Sequence, residues 1–307
     1  SEFAPLWSDY DKTVWYNTYD VTDCLRKGWN DVAVLLGNGF YNEQGGRYAK
    51  MRISFGPPTL YFNLTITYKN GKQEQWISDG SWQWCESPVT FNSIYGGEDY
   101  DARLESSSSS LLAGGKWHSV VIQEGPKGEL RQQIAEPVKI MERYPAERIT
   151  TGLPVYDCRQ NMAGYPEITV RGKAGQQVKL IVGETLTDDG HVNQRQTGRP
   201  HYYIYTLKGS QEECWHPHFS YYGFRYIEVE GTVEEGADNP DQLPVLSNIQ
   251  GCFSAARPMD TPAAPVASQK ISASLAQVTP PLANTGIDAD MQMSRIATVS
   301  TAPPYIC

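Results

Sequence analysis

Leu60-Tyr-Phe-Asn-Leu-Thr-Ile-Thr-Tyr68, then Asn70-Gly71, then Gln75-Trp-Ile77 is the stretch whose reading decides the fold. Two runs of β-branched and aromatic residues flank a turn dipeptide, which is the pattern of a β-hairpin. Asn-Gly is a strong two-residue hairpin signal because both turn positions require φ > 0. Upstream, Asp31-Val-Ala-Val-Leu-Leu-Gly-Asn-Gly39 reads as a buried strand running into a glycine turn. Downstream, Asp79-Gly-Ser-Trp82 and Trp84 close a further turn and strand. Trp7, Tyr10, Trp15, Tyr16 and Tyr19 precede Asp20-Val-Thr-Asp-Cys-Leu-Arg-Lys-Gly28, a strand followed by one helical turn with a glycine stop.

The same logic carries the second half. Ile168–Val170, Gln177–Val182, Tyr202–Leu207 and Phe224–Glu230 read as strands, the last alternating apolar and polar residues with period two. Gly172 to Gly175, Asp188-Asp-Gly190 and Lys208-Gly-Ser210 supply the turns. The fold class is therefore all-β, with two consecutive antiparallel β-sandwich domains of jelly-roll or lectin-like type over residues 1–140 and 141–253. Ser106 to Ser110, followed by Gly114-Gly115, reads as flexible linker. Residues 254–307 are rich in Ala, Pro, Ser and Thr and lack periodicity, so they form a disordered tail that buries too little apolar surface to offset its ordering entropy.

Composition narrows the function classes. The 307 residues are 40% hydrophobic, enough for a sizeable core. The 19 Tyr and 8 Trp favour sheets and exposed stacking surfaces. A net charge of −9 argues against nucleic acid, which needs a basic face. No apolar run approaches the roughly 18 residues of a membrane span. The opening residues hold no signal-peptide pattern, and Ser1-Glu2-Phe3 does not look like a natural start, so upstream residues are expected. Cysteines at 24, 85, 158, 214, 252 and 307 form no C-x-x-C pair; most are read as buried thiols, and they leave the compartment open, with periplasm or secretion compatible.

The densest chemistry lies in Asn92-Ser-Ile-Tyr-Gly-Gly-Glu-Asp-Tyr-Asp-Ala-Arg103, read as a shaped loop leading into a short strand of the first domain. This stretch, with Tyr10-Asp-Lys-Thr-Val-Trp-Tyr-Asn-Thr-Tyr-Asp-Val-Thr22 and Leu36-Gly-Asn-Gly-Phe-Tyr41, resembles the N-terminal domain of bacterial α-L-rhamnosidases, a family of glycoside hydrolases. Tyr156-Asp-Cys-Arg-Gln-Asn-Met-Ala-Gly164 resembles the family's Phe/Tyr-Asp-x-Gly-Gln-Asn-x-x-Gly pattern. Trp215-His-Pro-His-Phe-Ser-Tyr-Tyr-Gly-Phe-Arg-Tyr226 is similar to the aromatic strand ending its next sandwich. Arg159 stands where that pattern has Gly, so the turn there is strained or built differently. The Ser106–Ser110 run replaces a loop that usually contains Asp and Trp, and the first sandwich starts late, without its opening strands.

The resemblance implies inverting hydrolysis of α-L-rhamnosides in a helical (α/α) barrel that follows the second sandwich. Residues 254–307 hold no amphipathic helices of that kind. Inversion needs two carboxyl groups roughly 6.5–9.5 Å apart. Asp99 and Asp101 meet that spacing, since alternate strand residues rise about 6.6 Å together, but no residue pattern gives either one the raised pKa of a general acid. No catalytic residue is assigned. The cluster reads first as structural, an Arg103 ion pair and hydrogen bonds that hold the loop; carbohydrate binding is the residual role, for rhamnose-containing glycans, with Tyr41, Asn42, Tyr95, Glu98, Asp99, Asp101 and Arg103 as candidates for stacking and hydroxyl contacts.

The loop Phe40-Tyr-Asn-Glu-Gln-Gly-Gly-Arg-Tyr48 is expected beside the 92–103 stretch at one end of the sandwich, or else as a plain surface loop. No cofactor is expected; Glu98, Asp99 and Asp101 are oxygen ligands of the kind calcium takes, but without an EF-hand spacing. His201, His216 and His218 read as solvated or packing histidines rather than metal ligands. Three functions compete: a non-catalytic portion of an α-L-rhamnosidase, a stand-alone carbohydrate-binding module, and an active hydrolase.

Overall fold

A computed structural model of the chain describes residues 3–43, 45–48, 50–105, 116–149 and 152–256, together with the backbone of 276–278, 291–299 and 305–306. The described residues contain no α-helix; two single turns of 3-10 helix, Thr22–Cys24 and Ala102–Leu104, stand among the strands. The expected linker at 106–115 lies outside the described residues. So does most of the tail, of which Ala276–Val278, Met291–Val299 and Tyr305–Ile306 run alongside strands of the first half.

Two hydrophobic clusters divide the molecule. Val34, Leu36, Leu60, Phe62, Leu64, Ile66, Tyr68 and Trp82 form the first. Ile168, Val170, Val178, Leu180, Val182, Tyr203, Tyr205, Phe224, Ile227 and Val229 belong to the second. In Gln177–Gly183 alternate residues Val178, Leu180 and Val182 are fully buried, as strand pleating requires. The predicted hairpin is present, Phe62–Thr67 pairing antiparallel with Gln73–Ile77. Its turn corrects the expectation: Gly71 has φ 80° while Asn70 does not enter the left-handed region. The Gly71 N–H donates to Tyr68 O and the Tyr68 N–H to Lys72 O, so a tight turn ends on one left-handed glycine.

One sheet runs through the second half and beyond it. Its strands lie in the order Val138–Pro145, Val245–Ala256, Val155–Arg171, Tyr222–Glu230, Gln177–Gly183, Tyr202–Thr206, Gly97–Asp101 and Val89–Ser93. The 92–103 stretch completes Val89–Ser93 and supplies Gly97–Asp101, so the expected short strand is present and joins this sheet. Val89–Ser93 and Gly97–Asp101 form a hairpin whose second strand pairs, in parallel, with Tyr202–Thr206. The sheet crosses the boundary expected near residue 140, because Gly97 lets the backbones close: a Cβ there would lie 2.0 Å from Tyr202 O.

Val155–Arg171 is the long central strand, interrupted by an irregularity between Asp157 and Met162. Arg159 sits in it at φ 62°, so the residue replacing the family's glycine does adopt the left-handed backbone. Its N–H donates to Asp157 Oδ1 at 2.7 Å, which holds the bend, and its guanidinium pairs with Glu147 at the surface. The same Asp157 takes a two-pronged contact from Arg225, at 2.8 Å on each oxygen. Arg225 is the first and strongest reason that the Asp157 carboxyl stays below the usual carboxylate range. The two motifs of the second half are thus bonded to each other.

Gly164, at the end of the first of those motifs, lies against the neighbouring strand so closely that a Cβ would sit 1.8 Å from Cys252 O. Backbone cannot yield as a flexible side chain does, so Gly164→Ala should destabilise the chain by about 2–3 kcal/mol. A urea titration that gave an unchanged midpoint would show that these strands part freely.

Candidate functional site

The strand Gly97–Asp101 alternates Gly97, Asp99 and Asp101 on one face with Glu98 and Tyr100 on the other. The inward carboxylate, Glu98, is fully buried. It accepts from the backbone N–H groups of His218 (2.9 and 3.0 Å) and Phe219 (2.8 Å). The His218 Nδ1 lies 2.9 Å from Oε1 and donates there, since a carboxylate only accepts. Around this clasp the His218 ring stacks on Tyr100, and Tyr100 on Tyr205. Phe219 packs against Gly37, where any side chain would strike its ring.

On the outward face, Asp99 pairs with Arg47. The guanidinium of Arg47 is sandwiched between the rings of Phe91 and Tyr202, 4.3 and 3.7 Å from their centroids, and donates to Tyr202 O at 3.0 Å. The second oxygen of Asp99 is sealed from solvent without a hydrogen-bond partner. Burial therefore pushes the Asp99 carboxyl up, with Arg47 opposing.

The loop 40–48 does lie beside 92–103, held by Glu43, and two further bonded sets fix the 92–103 stretch on either side of it. Asn38 donates to the side-chain and main-chain oxygens of Asn92. Buried Glu43 accepts from Ser93 Oγ and from the N–H groups of Gly45 and Ile94. Desolvation raises its pKa against those bonds. His201, also fully buried, lies 2.8 Å from Tyr95 O through Nδ1 and 2.9 Å from the Tyr203 hydroxyl through Nε2. A carbonyl can only accept, so Nδ1 carries the proton and Nε2 receives the Tyr203 hydroxyl, a neutral imidazole. Burial lowers its pKa to about 4.

The seven candidate residues thus separate. Tyr41 is buried against Tyr10 and Phe55, and Asn42 is buried in bonds to Asn38 and Ser54. Glu98 is enclosed by the His218 and Phe219 N–H groups and the His218 ring. Asp101 takes both prongs of Arg103 and accepts its N–H, capping the 3-10 turn that follows. Tyr95 keeps an accessible ring, facing Phe40 and Tyr48. The sequence reading missed Arg47 and Glu43 as joining residues, although both stood inside a loop already singled out; His201, read as a solvated or packing histidine, is packed, and its partners Tyr95 and Tyr203 carried no signal. His216 and His218 pack on Tyr165 and Tyr100 as expected. Among the described residues no group of three or more His, Cys, Asp or Glu side chains is placed to hold a metal ion, and no helix is long and apolar enough to cross a membrane.

Comparison with known proteins matches both halves to one family. Residues 1–142 match the alpha-L-rhamnosidase N-terminal domain and residues 147–252 the bacterial alpha-L-rhamnosidase concanavalin-like domain. An alpha-L-rhamnosidase of Formosa agariphila is 31% identical over 80% of this chain and 28% of its own length. One from Streptomyces avermitilis is 35% identical over 75% of this chain and 23% of its own. The crystal structure of the Streptomyces avermitilis alpha-L-rhamnosidase complexed with L-rhamnose superposes with a TM-score of 0.61 at 29% identity, covering 83% of this chain and 25% of that one. That of the Dictyoglumus thermophilum alpha-L-rhamnosidase gives 0.54 at 29% identity, over 63% and 22%. The chain spans about a quarter of the length of the curated relatives it matches.

Two measurements test the joint. Glu98→Gln keeps the shape but turns an amide NH2 toward N–H donors, and should cost about 2–4 kcal/mol in stability; a wild-type melting curve would remove Glu98 as the clasp. His201 titrates lower when folded than its ordinary 6.5, so the unfolded chain takes the proton first. Its contribution is complete above pH 6.5 and is lost as pH falls toward 4, on the order of 3 kcal/mol in all. Glu43 and Asp99, shifted up, act with the opposite sign over part of that range. The readout is therefore the difference between wild type and His201→Gln, whose stability should fall less steeply over that window. Parallel curves would refute it.

Proposed function

We propose, from the premise that the chain belongs to the bacterial α-L-rhamnosidase family, that it forms the non-catalytic β-sandwich portion of such an enzyme. Its role is to present a rigid support to the region that the longer relatives carry beyond this span. Hydrolysis of terminal α-L-rhamnosyl residues, in rhamnose-containing glycans, belongs to that larger assembly; a relative from Streptomyces avermitilis is known in complex with L-rhamnose.

The observation that carries the proposal is the fate of the acid-rich stretch. Inverting hydrolysis needs one accessible acid and one accessible base with water between them. Here Glu98 is enclosed by His218 and Phe219, Asp99 is held by Arg47 and Asp101 by Arg103. Each carboxylate is committed to holding the chain's own elements together, and the result is a stiff joint between the two halves. This role requires no cofactor.

The chain alone, incubated with 4-nitrophenyl α-L-rhamnopyranoside, should release no nitrophenol above buffer. Placed in the Streptomyces avermitilis relative in exchange for the matching segment, it should preserve kcat/KM to within about tenfold, a loss of about 1.4 kcal/mol in transition-state stabilisation. Turnover that stays with the purified chain would overturn the support role, and so would an intact chimera with no activity.

A further inference from the structure

One strand of the first half depends on residues far beyond it in the chain. The sheet that includes it runs in the order His118–Ser119, Gln83–Glu86, Met291–Val299, Gly28–Leu36. Among the described residues Gly28–Leu36 pairs with no strand except Met291–Val299. We infer that the space between Gly28–Leu36 and Gln83–Glu86 is a strand-acceptor slot, an interaction surface for one extended peptide segment, and that its occupant is Met291–Val299 of the same chain.

Three observations carry this. First, the slot needs an occupant. Gly28–Leu36 is nine residues long, and its Val34 and Leu36 are buried in the first cluster. Left unpaired, it would present a long apolar edge and a row of unmet N–H and C=O groups. Second, the slot is one strand wide. Met291–Val299 pairs in parallel with all of Gly28–Leu36 and, through its last four residues, with Gln83–Glu86. Two strands bonded to the same intermediate stand about 9.6 Å apart, which admits a single backbone. Third, the residue types suit the register. Buried Asn30, Val34 and Leu36 stand in register with Met293, Ala297 and Val299, whereas exposed Trp29 and Asp31 stand with Gln292 and Ser294. Arg295 falls with Val32, which is only half-buried. A one-residue slip would set Gln292, Ile296 and Thr298, or else Ser294, Thr298 and Ser300, against the three buried positions, bringing polar residues to the core side. The pairing is strand addition: main-chain bonds hold the segment and alternate positions select it. A segment of tail composition, unable to build a core alone, is ordered here by a core that other strands supply.

Hydrogen–deuterium exchange of the full chain tests the slot and its occupant. In wild type, the bonded amides of Gly28–Leu36 should exchange at least about tenfold more slowly than those of a free peptide. Ala297→Pro removes an N–H at the register position shared by Val34 and Trp84. It should speed exchange over Gly28–Leu36 and Gln83–Glu86 about tenfold, while Ala297→Val, which keeps the N–H, should not. Gln177–Gly183, whose apolar residues lie in the second cluster, reports whether a variant is folded. Should Ala297→Pro lose protection there, Gln292→Pro replaces it, with faster exchange expected at the Trp29 end. A synthetic peptide of residues 290–300, added to the proline variant, should restore protection, and a scrambled peptide should not. Free-peptide rates over Gly28–Leu36 in wild type would overturn the inference. So would rates untouched by proline in a folded variant, or no restoration by the peptide. Light scattering that finds a dimer, with protection lost on dilution, would place a second copy's segment in the slot and overturn the assignment of the occupant.

Discussion

A carboxylate taken wholly out of water sets the architecture. Burying an unpaired charge is prohibitive, so Glu98 must collect donors, and it finds them on the segment His218–Phe219. That requirement brings two stretches 120 residues apart into contact. It also fixes the register in which Gly97–Asp101 joins Tyr202–Thr206. The parallel pairing of these two strands then makes one sheet out of residues from both halves. Arg47 repeats the arrangement on the opposite face, with Asp99, Tyr202 O and two aromatic rings as its partners.

This joint accounts for why the family's motifs look as they do. Gly37 and Gly97 occur where a Cβ would strike Phe219 or the Tyr202 backbone, so each marks a close approach. The histidines of the segment Trp215–Tyr226 are packing groups that stack on tyrosines. Asp157 and Arg225, one from each motif of the second half, form a salt bridge at a strand irregularity. The carboxylates of the 92–103 stretch are each bonded within the chain, Glu98 to His218 and Phe219, Asp99 to Arg47 and Asp101 to Arg103. Membership in a hydrolase family and the absence of a free carboxylate pair in this stretch are compatible, because the chain corresponds to about a quarter of its relatives' length.

Arg159 shows how a departure from the family pattern is tolerated. A left-handed backbone costs a residue with a Cβ about 1–2 kcal/mol. The Arg159 N–H recovers part of that through Asp157, and the same carboxylate is already held by Arg225. The bend survives because its hydrogen bonds come from the backbone and from Asp157, neither of which depends on the side chain at position 159.

The strands, the hairpin at 62–77 and the all-β class were legible in the sequence, since pleating repeats every two residues and turn residues act locally. The motif resemblance likewise identified both halves. The amide turn at Asn70-Gly71 was legible as a turn but not in its backbone type, which depends on how many residues the strands leave unpaired. What only the tertiary structure decided was the use of each carboxylate. Glu98, Asp99 and Asp101 are near neighbours of like chemistry, yet one is enclosed by backbone donors, one by a distant arginine and one by an arginine two residues on. Sequence spacing cannot separate them, because burial and long-range partners, not local pattern, determine what a charged side chain can do.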